Sequence, residues 1–279
     1  MSHSMNPCLW MDGTAREAAA FYESVFSDAK SLGGSGVMAE IQIADLRLSL
    51  LDGGPQFKIN PSISFFYNCA DEKEIGRLWA ALSADGSELM PLGNYPFATA
   101  YGWLADRFGV NWQLIVPLSP PRQKAFPSLM FTQANSGRAE EALKFYAEVF
   151  AGSLVGTVSR YGAGQAPEKE GTLNYAELSL GTQWISLMDS AQAHQFIFSE
   201  GVSLTVTCDS QAEIDHFWES LSRGGSEIQC GWLKDRFGIS WQIVPRALGE
   251  LMSDPGRAPR VMEALLKMKK LDLAGLLGA

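Results

Sequence analysis

Hydrophobic and polar residues follow a pattern along this chain that occurs twice. Residues 37–51 alternate between apolar and polar side chains around a short turn, which predicts a β-hairpin, and residues 173–188 repeat that alternation. Apolar residues spaced three and four apart from Ala18 to Phe26 predict one buried helix face, and residues 139–150 show the same spacing. A repeat of roughly 120 residues is far longer than a solenoid unit of about 20–50 residues, so two homologous domains are predicted.

The order of predicted elements within each copy is strand, helix and three strands, and this order occurs twice in each copy. Each copy is therefore expected to contain two βαβββ modules. Thr14 and Glu17 stand three positions apart before the first helix, which predicts a capping box. The longest repeated motif spans residues 103–113 and 232–242 and reads Trp-Leu, Asp-Arg-Phe-Gly and Trp-Gln in both copies.

Proline-rich sequence marks the boundary between the copies. We assign residues 1–117 to a first domain, 118–126 to a stiff linker with three prolines, and 127–246 to a second domain. Residues 247–279 form a tail with helical spacing of apolar residues.

Composition and charge exclude several classes of partner. The net charge is −9 and the sequence has no basic stripe, so binding to nucleic acid is not expected. A run of about 18 apolar residues is absent, as are the basic and apolar regions of a secretory signal. We therefore expect no membrane contact and a cytoplasmic location. Cys69 and Cys208 each close an apolar strand, which favours buried small side chains over a disulfide.

With these motifs, the chain resembles the vicinal-oxygen-chelate superfamily of glyoxalase I, bleomycin-resistance proteins and extradiol dioxygenases. It is most similar to the PhnB-like branch, whose domain often carries the label 3-demethylubiquinone-9 3-methyltransferase. The residues that carry the likeness are the Phe-Tyr-x-x-Val-Phe helix ends, twice, and the two copies of the motif at residues 102–109 and 231–238. The resemblance implies an α+β fold of tandem duplicated glyoxalase-like domains, each of two βαβββ modules with a curved mixed sheet forming a cup.

The resemblance also implies where a metal ion would lie, because metal-dependent members hold one with side chains of the first and last strands of each module. Within a strand-register error of one or two residues, those positions are 7–10, 48–50, 62–64 and Gln113 in the first domain and 128–132, 185–187, 202–204 and Gln242 in the second. They include no His and no Glu, and their polar side chains are mainly serines and a neutral amide. Such groups are poor ligands for a divalent ion in water. We therefore expect neither cup to hold a metal, and we expect no cofactor.

The candidate acid–base residues are His194 and Glu177, and Glu40 matches Glu177 across the repeat. Each has a structural alternative: His194 as a hydrogen-bonding loop anchor, and each Glu as the partner of a Lys or Arg. His3 lies near the start of the chain and His216 on an exposed helix position. The Asp106-Arg107 and Asp235-Arg236 pairs are expected to stabilise turns, with Asp capping the turn and Arg pairing with a carboxylate.

The candidate ligand-binding residues are aromatic or carry an amide: Trp10, Tyr95, Phe97, Trp103, Gln113, Gln133, Trp232 and Gln242. Trp10, Tyr95, Phe97 and Trp103 are expected to line an apolar cup of the first domain. Extra residues at 90–97 would form a lid over it. The second copy has its own longer segment at 160–171, and unequal loops indicate that at most one cup is functional without saying which one.

Three functions remain open from the sequence. The first, which we favour, is metal-free binding of a small, partly apolar organic molecule in a sheet cup. The second is a metal-dependent or acid–base lyase, isomerase or dioxygenase, so enzymatic activity stays undecided. The third, disfavoured, is the methyltransferase of the domain label, because the glycines at residues 33–36 lie between strands with no following helix. The fused repeat favours a monomer that acts as a pseudo-dimer, with a homodimer as the alternative.

Overall fold

The structure, a computed structural model, describes residues 4–34 and 36–279, so His3 lies outside the described residues. The strands of the first repeat are β1 (Ser4–Met11), β2 (Ala29–Gly33), β3 (Met38–Ile43), β4 (Leu46–Asp52), β5 (Ile63–Asn68), β6 (Ser87–Tyr95), β7 (Ala98–Ala105) and β8 (Asn111–Pro117). Its helices are α1 (Ala15–Val25) and α2 (Glu72–Leu82).

The second repeat has the same order of elements. Its strands are β9 (Ala125–Phe131), β10 (Val155–Arg160), β11 (Leu173–Leu180), β12 (Gln183–Asp189), β13 (Val202–Cys208), β14 (Ser226–Glu227), β15 (Trp232–Lys234) and β16 (Ser240–Pro245). Its helices are α3 (Ala139–Val149) and α4 (Gln211–Ser222). The tail contains α5 (Ala247–Ser253), α6 (Ala258–Lys267) and α7 (Leu273–Gly278). Both predicted hairpins and all four predicted helices of the repeats are confirmed.

The strands form two mixed sheets of eight strands, and each sheet takes one module from each repeat. The first sheet has the order β14-β15-β16-β13-β1-β4-β3-β2, and the second has the order β10-β11-β12-β9-β5-β8-β7-β6. The repeats meet at the centre of each sheet, where β1 pairs with β13 and β5 pairs with β9, both antiparallel. The order of elements along the sequence suggested that each repeat forms its own cup. In the structure each cup is instead formed by one module from each repeat.

The helices of each repeat lie between the two sheets and hold the repeat together. Helix α1 packs on β2, β3 and β4 of the first sheet, while its Tyr22 and Phe26 contact Trp112 of the second sheet with ring centroids 5.4 and 4.9 Å apart. Helix α3 makes the matching contact, since Tyr146 and Phe150 reach Trp241 of the first sheet. The outer face of each sheet is therefore left as a cup, called here the first cup and the second cup.

The repeated Asp-Arg-Phe-Gly motif forms a buried turn in each repeat, as expected. The Asp235 carboxylate accepts from Phe237 N, Ile239 N, Tyr146 Oη and Trp241 Nε1 at 2.8, 3.1, 2.6 and 2.8 Å. Asp106 accepts the four equivalent bonds in the first repeat. Burial raises the pKa of both carboxyl groups although the four donors oppose that shift. These aspartates join a turn, a helix and a strand, so their role is structural.

The neighbouring arginines differ between the repeats. Arg107 pairs with Glu17 at 3.3 Å, as predicted. Both guanidinium groups lie over a phenylalanine ring, Arg107 over Phe21 at 4.3 Å and Arg236 over Phe145 at 4.4 Å from the ring centroid, but Arg236 Nε has no hydrogen-bond partner among the described residues. The predicted capping box of α1 is wrong: Thr14 makes no side-chain capping bond, and Asp52 Oδ1 accepts from Ala15 N at 2.9 Å. The Asp52 carboxylate, at the end of β4, thus takes the capping role expected of Thr14.

The extra residues of the first repeat do not form a loop. They extend β6, which pairs with β7 along a bulged ladder, and the turn between the two strands is short. At its end Tyr95 and Phe97 contact the ring of Tyr101 with centroids 5.4 and 5.1 Å apart. The expected lid loop is therefore a strand hairpin. In the second repeat the equivalent strands, β14 and β15, are only two and three residues long.

The tail packs where those strands are short. Cys230 N and Gly231 N donate to the carbonyl oxygens of Met268 and Lys269, both at 2.8 Å. Leu271 is fully buried in a cluster that includes Val244 of β16. Cys69 and Cys208 are buried and carry free thiols, as predicted. Among the described residues, no helix has the length and apolarity needed to cross a lipid bilayer.

Candidate functional site

A row of six polar side chains crosses the floor of the second cup from one strand to the next. The strand register places Glu177 opposite Ser186, Ser186 beside Ser128, and Ser128 opposite Ser64. Gln113 Nε2 donates to Ser64 Oγ at 2.7 Å, and Trp103 lies opposite Gln113 in the ladder. We call these residues the second polar row.

The first cup contains an equivalent row on the equivalent strands. Its members, in the same order, are Glu40, Ser49, Cys8, Ser203, Gln242 and Trp232. The two rows therefore differ in residue type at one position, where Cys8 replaces Ser128. Burial raises the pKa of the Cys8 thiol to about 11, so this group stays protonated near neutral pH.

The two rows differ more in their surroundings. In the first cup, Asn6 Nδ2 donates to Ser49 Oγ at 3.1 Å, and Gln242 Nε2 donates to Ser203 Oγ at 2.9 Å. The position equivalent to Asn6 in the second cup is Phe126, whose side chain has no hydrogen-bond donor. Ser186 Oγ, Ser128 Oγ and Trp103 Nε1 of the second row are buried and have no hydrogen-bond partner.

The walls of the second cup are apolar and aromatic. Phe66 and Phe126 stack with ring centroids 5.2 Å apart, and Tyr175 meets Phe66 edge-on at 6.1 Å. Tyr101 is buried and donates from its hydroxyl to Gln113 Oε1 at 2.6 Å. Burial raises the pKa of Tyr101, which keeps this hydroxyl a donor. One cluster joins these walls to the other lining residues: Leu89, Met90, Tyr95, Ala98, Trp103, Ile115, Met130, Met188 and Phe196.

The segment at residues 190–196 forms part of the rim of the second cup. The side chain of Phe196 packs on the apolar cluster, and Thr132 Oγ1 donates to Phe196 O at 2.6 Å. Glu168, from the longer segment of the second repeat, accepts from Ser190 Oγ at 3.1 Å and from Ala191 N at 2.7 Å. The longer segment is thus joined to this rim by hydrogen bonds.

The structure does not bring the two candidate acid–base residues together. His194 Nε2 lies 2.8 Å from Ser190 Oγ, and its ring is tilted against that of Phe196 with centroids 4.7 Å apart. Burial lowers the pKa of His194, and the charge of Glu168 opposes that shift. Glu177 accepts from Arg122 Nε at 3.2 Å and from Tyr175 Oη at 3.1 Å. His194 is therefore placed as a loop anchor, and no hydrogen bond joins it to Glu177 within the described residues.

The other glutamate and histidine candidates also have local partners. Glu40 faces the first cup and forms an ion pair with Arg47 at 2.5 Å. A Lys or Arg partner was the structural alternative to an acid–base role for this residue. His216 is exposed, as expected, and its Nε2 lies 2.9 Å from Val149 O at the end of α3.

The expected grouping of Trp10 with Tyr95, Phe97 and Trp103 is wrong, because the exchange of modules puts them on different sheets. Trp10 lies in the first cup, where its ring contacts Phe57 and Trp232 with centroids 4.9 and 6.0 Å away, and its Nε1 donates to Gly54 O at 2.8 Å. Tyr95 and Trp103 belong to the apolar cluster of the second cup. The exposed ring of Phe97 stands at the end of the hairpin.

The amide candidates lie in three places. Gln113 belongs to the second polar row and Gln242 to the first. Gln133 lies near the rim and donates from Nε2 to His194 O at 3.0 Å. Tyr101, Phe126 and Tyr175 also line the second cup and are not among the candidates predicted from the sequence. Strand register was the missing signal, because it decides which face of each strand a side chain occupies.

The donor set of either row does not fit a divalent metal ion. Each row offers one carboxylate, which already pairs with an arginine, and otherwise hydroxyl, thiol, amide and indole groups. Over residues 4–34 and 36–279, no group of three or more His, Cys, Asp or Glu side chains is arranged to hold an ion. The fold family's metal chemistry thus has no matching ligand set in the rows.

Comparison with known proteins identifies the family. The profile of the family described as 3-demethylubiquinone-9 3-methyltransferase matches residues 3–115 and again residues 123–244. A search of the curated proteins gives no match.

Among solved structures, a putative 3-demethylubiquinone-9 3-methyltransferase, a PhnB protein from Bacillus cereus, is 32% identical over 40% of this chain and 97% of its own, with a TM-score of 0.37. A protein from Pseudomonas aeruginosa is 27% identical over 39% of this chain and 94% of its own, with a TM-score of 0.36. Glyoxalase I from Zea mays is 14% identical, covers 91% of this chain and 97% of its own, and has a TM-score of 0.61.

The likeness to glyoxalase I shows the fold over most of the chain, and the two profile matches show the tandem repeat. The chain therefore belongs to the PhnB-like family described as 3-demethylubiquinone-9 3-methyltransferase, with two copies of its domain in a glyoxalase-like fold.

Proposed function

We propose that this protein binds a small, partly apolar organic molecule in its second cup, without a metal ion. The observation that carries the proposal is the convergence of both extra segments on one sheet. The extended β6–β7 hairpin comes from the first repeat and residues 160–171 come from the second, yet both adjoin the second sheet. The shorter equivalents of both segments adjoin the first sheet. Selective elaboration of one cup is typical of the site that carries function.

The lining of the second cup supports the same choice. Ligand sites are mostly apolar, with a few polar groups that fix orientation. The aromatic walls around Phe66 and Phe126 supply the apolar surface, and the polar row supplies the orienting groups. In the first cup the equivalent wall positions are Thr205 and Asn6, and the tail packs against the β15–β16 side.

Methyl transfer, the activity in the family's description, is not proposed. Gly33 ends β2 and Gly34 follows it on the way to β3, its antiparallel neighbour, so these glycines do not lie between a strand and a helix. The helix N-terminus that binds a dinucleotide or nucleoside ligand in doubly wound folds therefore does not follow these glycines.

The test is equilibrium binding of N-phenyl-1-naphthylamine, a neutral dye whose fluorescence rises in apolar surroundings. Ser186→Leu places a bulky side chain on the floor of the second cup and is expected to abolish the rise. Ser49→Leu makes the same change at the matched position of the first cup and is expected to preserve it. Far-UV circular dichroism must show that both variants keep their secondary structure.

Phe66→Thr provides a second variant that removes wall surface without filling the cup. It gives the second cup the residue found at position 205 of the first cup, and we expect dye affinity to fall by about tenfold for the lost aromatic contact. Loss of dye binding in Ser49→Leu with retention in Ser186→Leu would place the site in the first cup. Absence of dye binding by the unmodified protein would also overturn the proposal.

A further inference from the structure

The side chains of the first cup remain accessible to solvent, unlike their equivalents in the second cup. Gln242 and Trp232 are half-buried, whereas the equivalent Gln113 and Trp103 are only 2% and 6% exposed. Trp10 is half-buried as well. A molecule in solution can therefore reach the polar and aromatic groups of the first cup directly.

Two indole rings meet over the floor of the first cup. Trp10 and Trp232 lie on strands that β13 and β16 separate, yet their ring centroids are 6.0 Å apart and the rings make an angle of 77°. Phe57 meets Trp10 at a similar angle of 75°, with centroids 4.9 Å apart. The three half-buried rings thus form one aromatic surface that faces solvent.

The backbone holds the Trp10 ring in a fixed position. Trp10 Nε1 donates to Gly54 O at 2.8 Å, and any side chain at Gly53 would overlap the indole ring. The backbone N of Trp10 donates to Gly201 O at 2.9 Å, just before β13. An aromatic surface that is ordered before a ligand arrives loses little conformational freedom on binding.

An ion pair lies beside the contact between the two indoles. Lys234 follows Trp232 by two positions on β15, so both side chains point to the same face of the sheet. Lys234 Nζ lies 2.7 Å from Oε1 of Glu200, the residue before Gly201. The two side chains are 31% and 20% exposed, so further donors and acceptors remain available at the edge of the aromatic surface.

Gln242 adds an acceptor on the strand next to Trp232, its partner in the ladder. No hydrogen bond among the described residues reaches Gln242 Oε1, whereas Tyr101 donates to the equivalent Gln113 Oε1 at 2.6 Å. Cys230 stands at the position of Tyr101 in the second repeat and has no hydroxyl group. The acceptor is therefore engaged within the protein in the second cup and not in the first.

The chemistry of these groups suits a neutral ring that carries several hydroxyl groups. The carbon-bound hydrogens on one face of a sugar ring pack against an indole, and its hydroxyl groups both donate and accept hydrogen bonds. Lys234 supplies donors, and Glu200 and Gln242 supply acceptors. A charged ligand is less well suited, because one member of the ion pair would attract it and the other would repel it.

We propose that the first cup is a second binding site, for the neutral pyranose ring of a carbohydrate. The ring stacks on Trp10 and Trp232, and its hydroxyl groups bond to Lys234, Glu200 and Gln242. This site goes beyond the proposed function, since it lies on the other sheet and takes a different class of molecule. Both cups then bind ligands, contrary to the expectation that at most one of them is functional.

The test uses the methyl pyranosides of glucose, galactose and mannose. Each is titrated into ¹⁵N-labelled protein, and the indole N–H resonances of Trp10 and Trp232, assigned with Trp10→Phe and Trp232→Phe, are followed. At least one pyranoside is expected to shift both resonances in a saturable manner. Tetrahydropyran has the same ring without hydroxyl groups and should bind at least about tenfold more weakly, for lack of the hydrogen bonds. Choline should also bind more weakly, because Lys234 repels a cation.

Two variants separate stacking from hydrogen bonding. Trp232→Leu should weaken pyranoside binding by about tenfold for the lost aromatic contact. The double variant Glu200→Leu with Lys234→Leu keeps the net charge and should weaken pyranoside binding by at least about tenfold, while tetrahydropyran affinity changes by less than about twofold. Phe97→Leu removes an exposed ring outside the cup and should alter neither. Far-UV circular dichroism must show that all variants keep their secondary structure.

Each contrary outcome is distinct. Absence of saturable binding for all three pyranosides would overturn the proposal. Tetrahydropyran that binds as tightly as the best pyranoside would show a merely apolar surface, and tighter binding of choline would show a cation site; either result would also overturn it. Equal effects of Trp232→Leu and Phe97→Leu would show non-specific stacking and refute the site. Dye binding by the second cup is measured separately, so these failures leave the proposed function standing.

Discussion

The matched serines of the two cups make a direct test of how each cup is built. Ser186→Ala removes a fully buried hydroxyl that has no partner, whereas Ser49→Ala removes a hydroxyl that accepts from Asn6 at 3.1 Å. Both changes delete one oxygen from equivalent strands, so loss of packing is the same in the two variants. We expect Ser49→Ala to destabilise the protein and Ser186→Ala to leave it equally stable or more stable.

The magnitude follows from the hydrogen bonds. Loss of the bond from Asn6 costs about 1 kcal/mol, since one neutral hydrogen bond contributes roughly that amount. Removal of the unpaired Ser186 hydroxyl relieves about 1 kcal/mol of desolvation cost, the low end of the range for such groups. The two variants should therefore differ by about 2 kcal/mol. For 279 residues with an unfolding entropy of about 2.1 cal/mol/K each, this difference is about 3 °C in melting temperature.

The assay is urea denaturation followed by far-UV circular dichroism, with both variants fitted to a common slope. Thermal melts of the same samples provide the second measurement. If Ser186→Ala lost as much stability as Ser49→Ala, the Ser186 hydroxyl would have a protein partner in solution. That result would refute the assignment of the Ser186 hydroxyl as an unpaired group.

Asp235→Asn should cost about 3 kcal/mol, because an amide replaces one of two oxygens that together accept four hydrogen bonds; unchanged melting relative to the exposed-site control Asp12→Asn would contradict this. Burial lowers the pKa of His194 below 6.5, so the unfolded chain binds more protons, and stability present above about pH 6.5 is lost as the pH falls. His194→Gln should therefore lose less unfolding free energy than the unmodified protein between about pH 7.5 and 5, and equal losses would disprove the effect. Leu271→Ala should cost about 2–5 kcal/mol in urea unfolding, and a cost below about 1 kcal/mol would show that the tail packs loosely.

Local patterns were sufficient to predict most helices and strands. The alternation at residues 37–51 and 173–188 predicted both hairpins with their turns, because each strand buries one face against the helices. The capping box failed for a non-local reason. Asp52 is distant in sequence from Thr14, but the end of β4 places its carboxylate at the start of α1, where it accepts from Ala15 N.

The pairing of modules between repeats was not predictable from one copy alone. The two repeats present similar strands, so β1 could pair with a module of either repeat on local grounds. The observed partner, β13, is nearly 200 positions away, since Asn6 lies opposite Thr205. This long-range pairing places Trp10 in the first cup and Trp103 in the second. The expected grouping of these aromatic residues in one cup was therefore wrong.

The residue types of the polar rows could be read from the sequence, but not which of these residues share one face of a sheet. Gln113 and Gln242 were named as the last-strand candidates, whereas Ser49 and Ser186 were each one of three residues in the windows 48–50 and 185–187. Their directions depended on strand register, which an error of one residue would reverse. Only the register shows that Ser186 lies beside Ser128 on the cup face, as Ser49 lies beside Cys8.

The exchange of modules also sets the order in which the chain can fold as it is synthesised. Strand β1 leaves the ribosome long before its antiparallel neighbour β13, which begins at Val202. Closing so long a loop is slow, and the exposed edges of β1 and β5 meanwhile remain open to wrong partners. A nascent first repeat can pair with the first repeat of another chain along these same edges. Chaperone protection during translation is therefore most valuable until β13 has emerged.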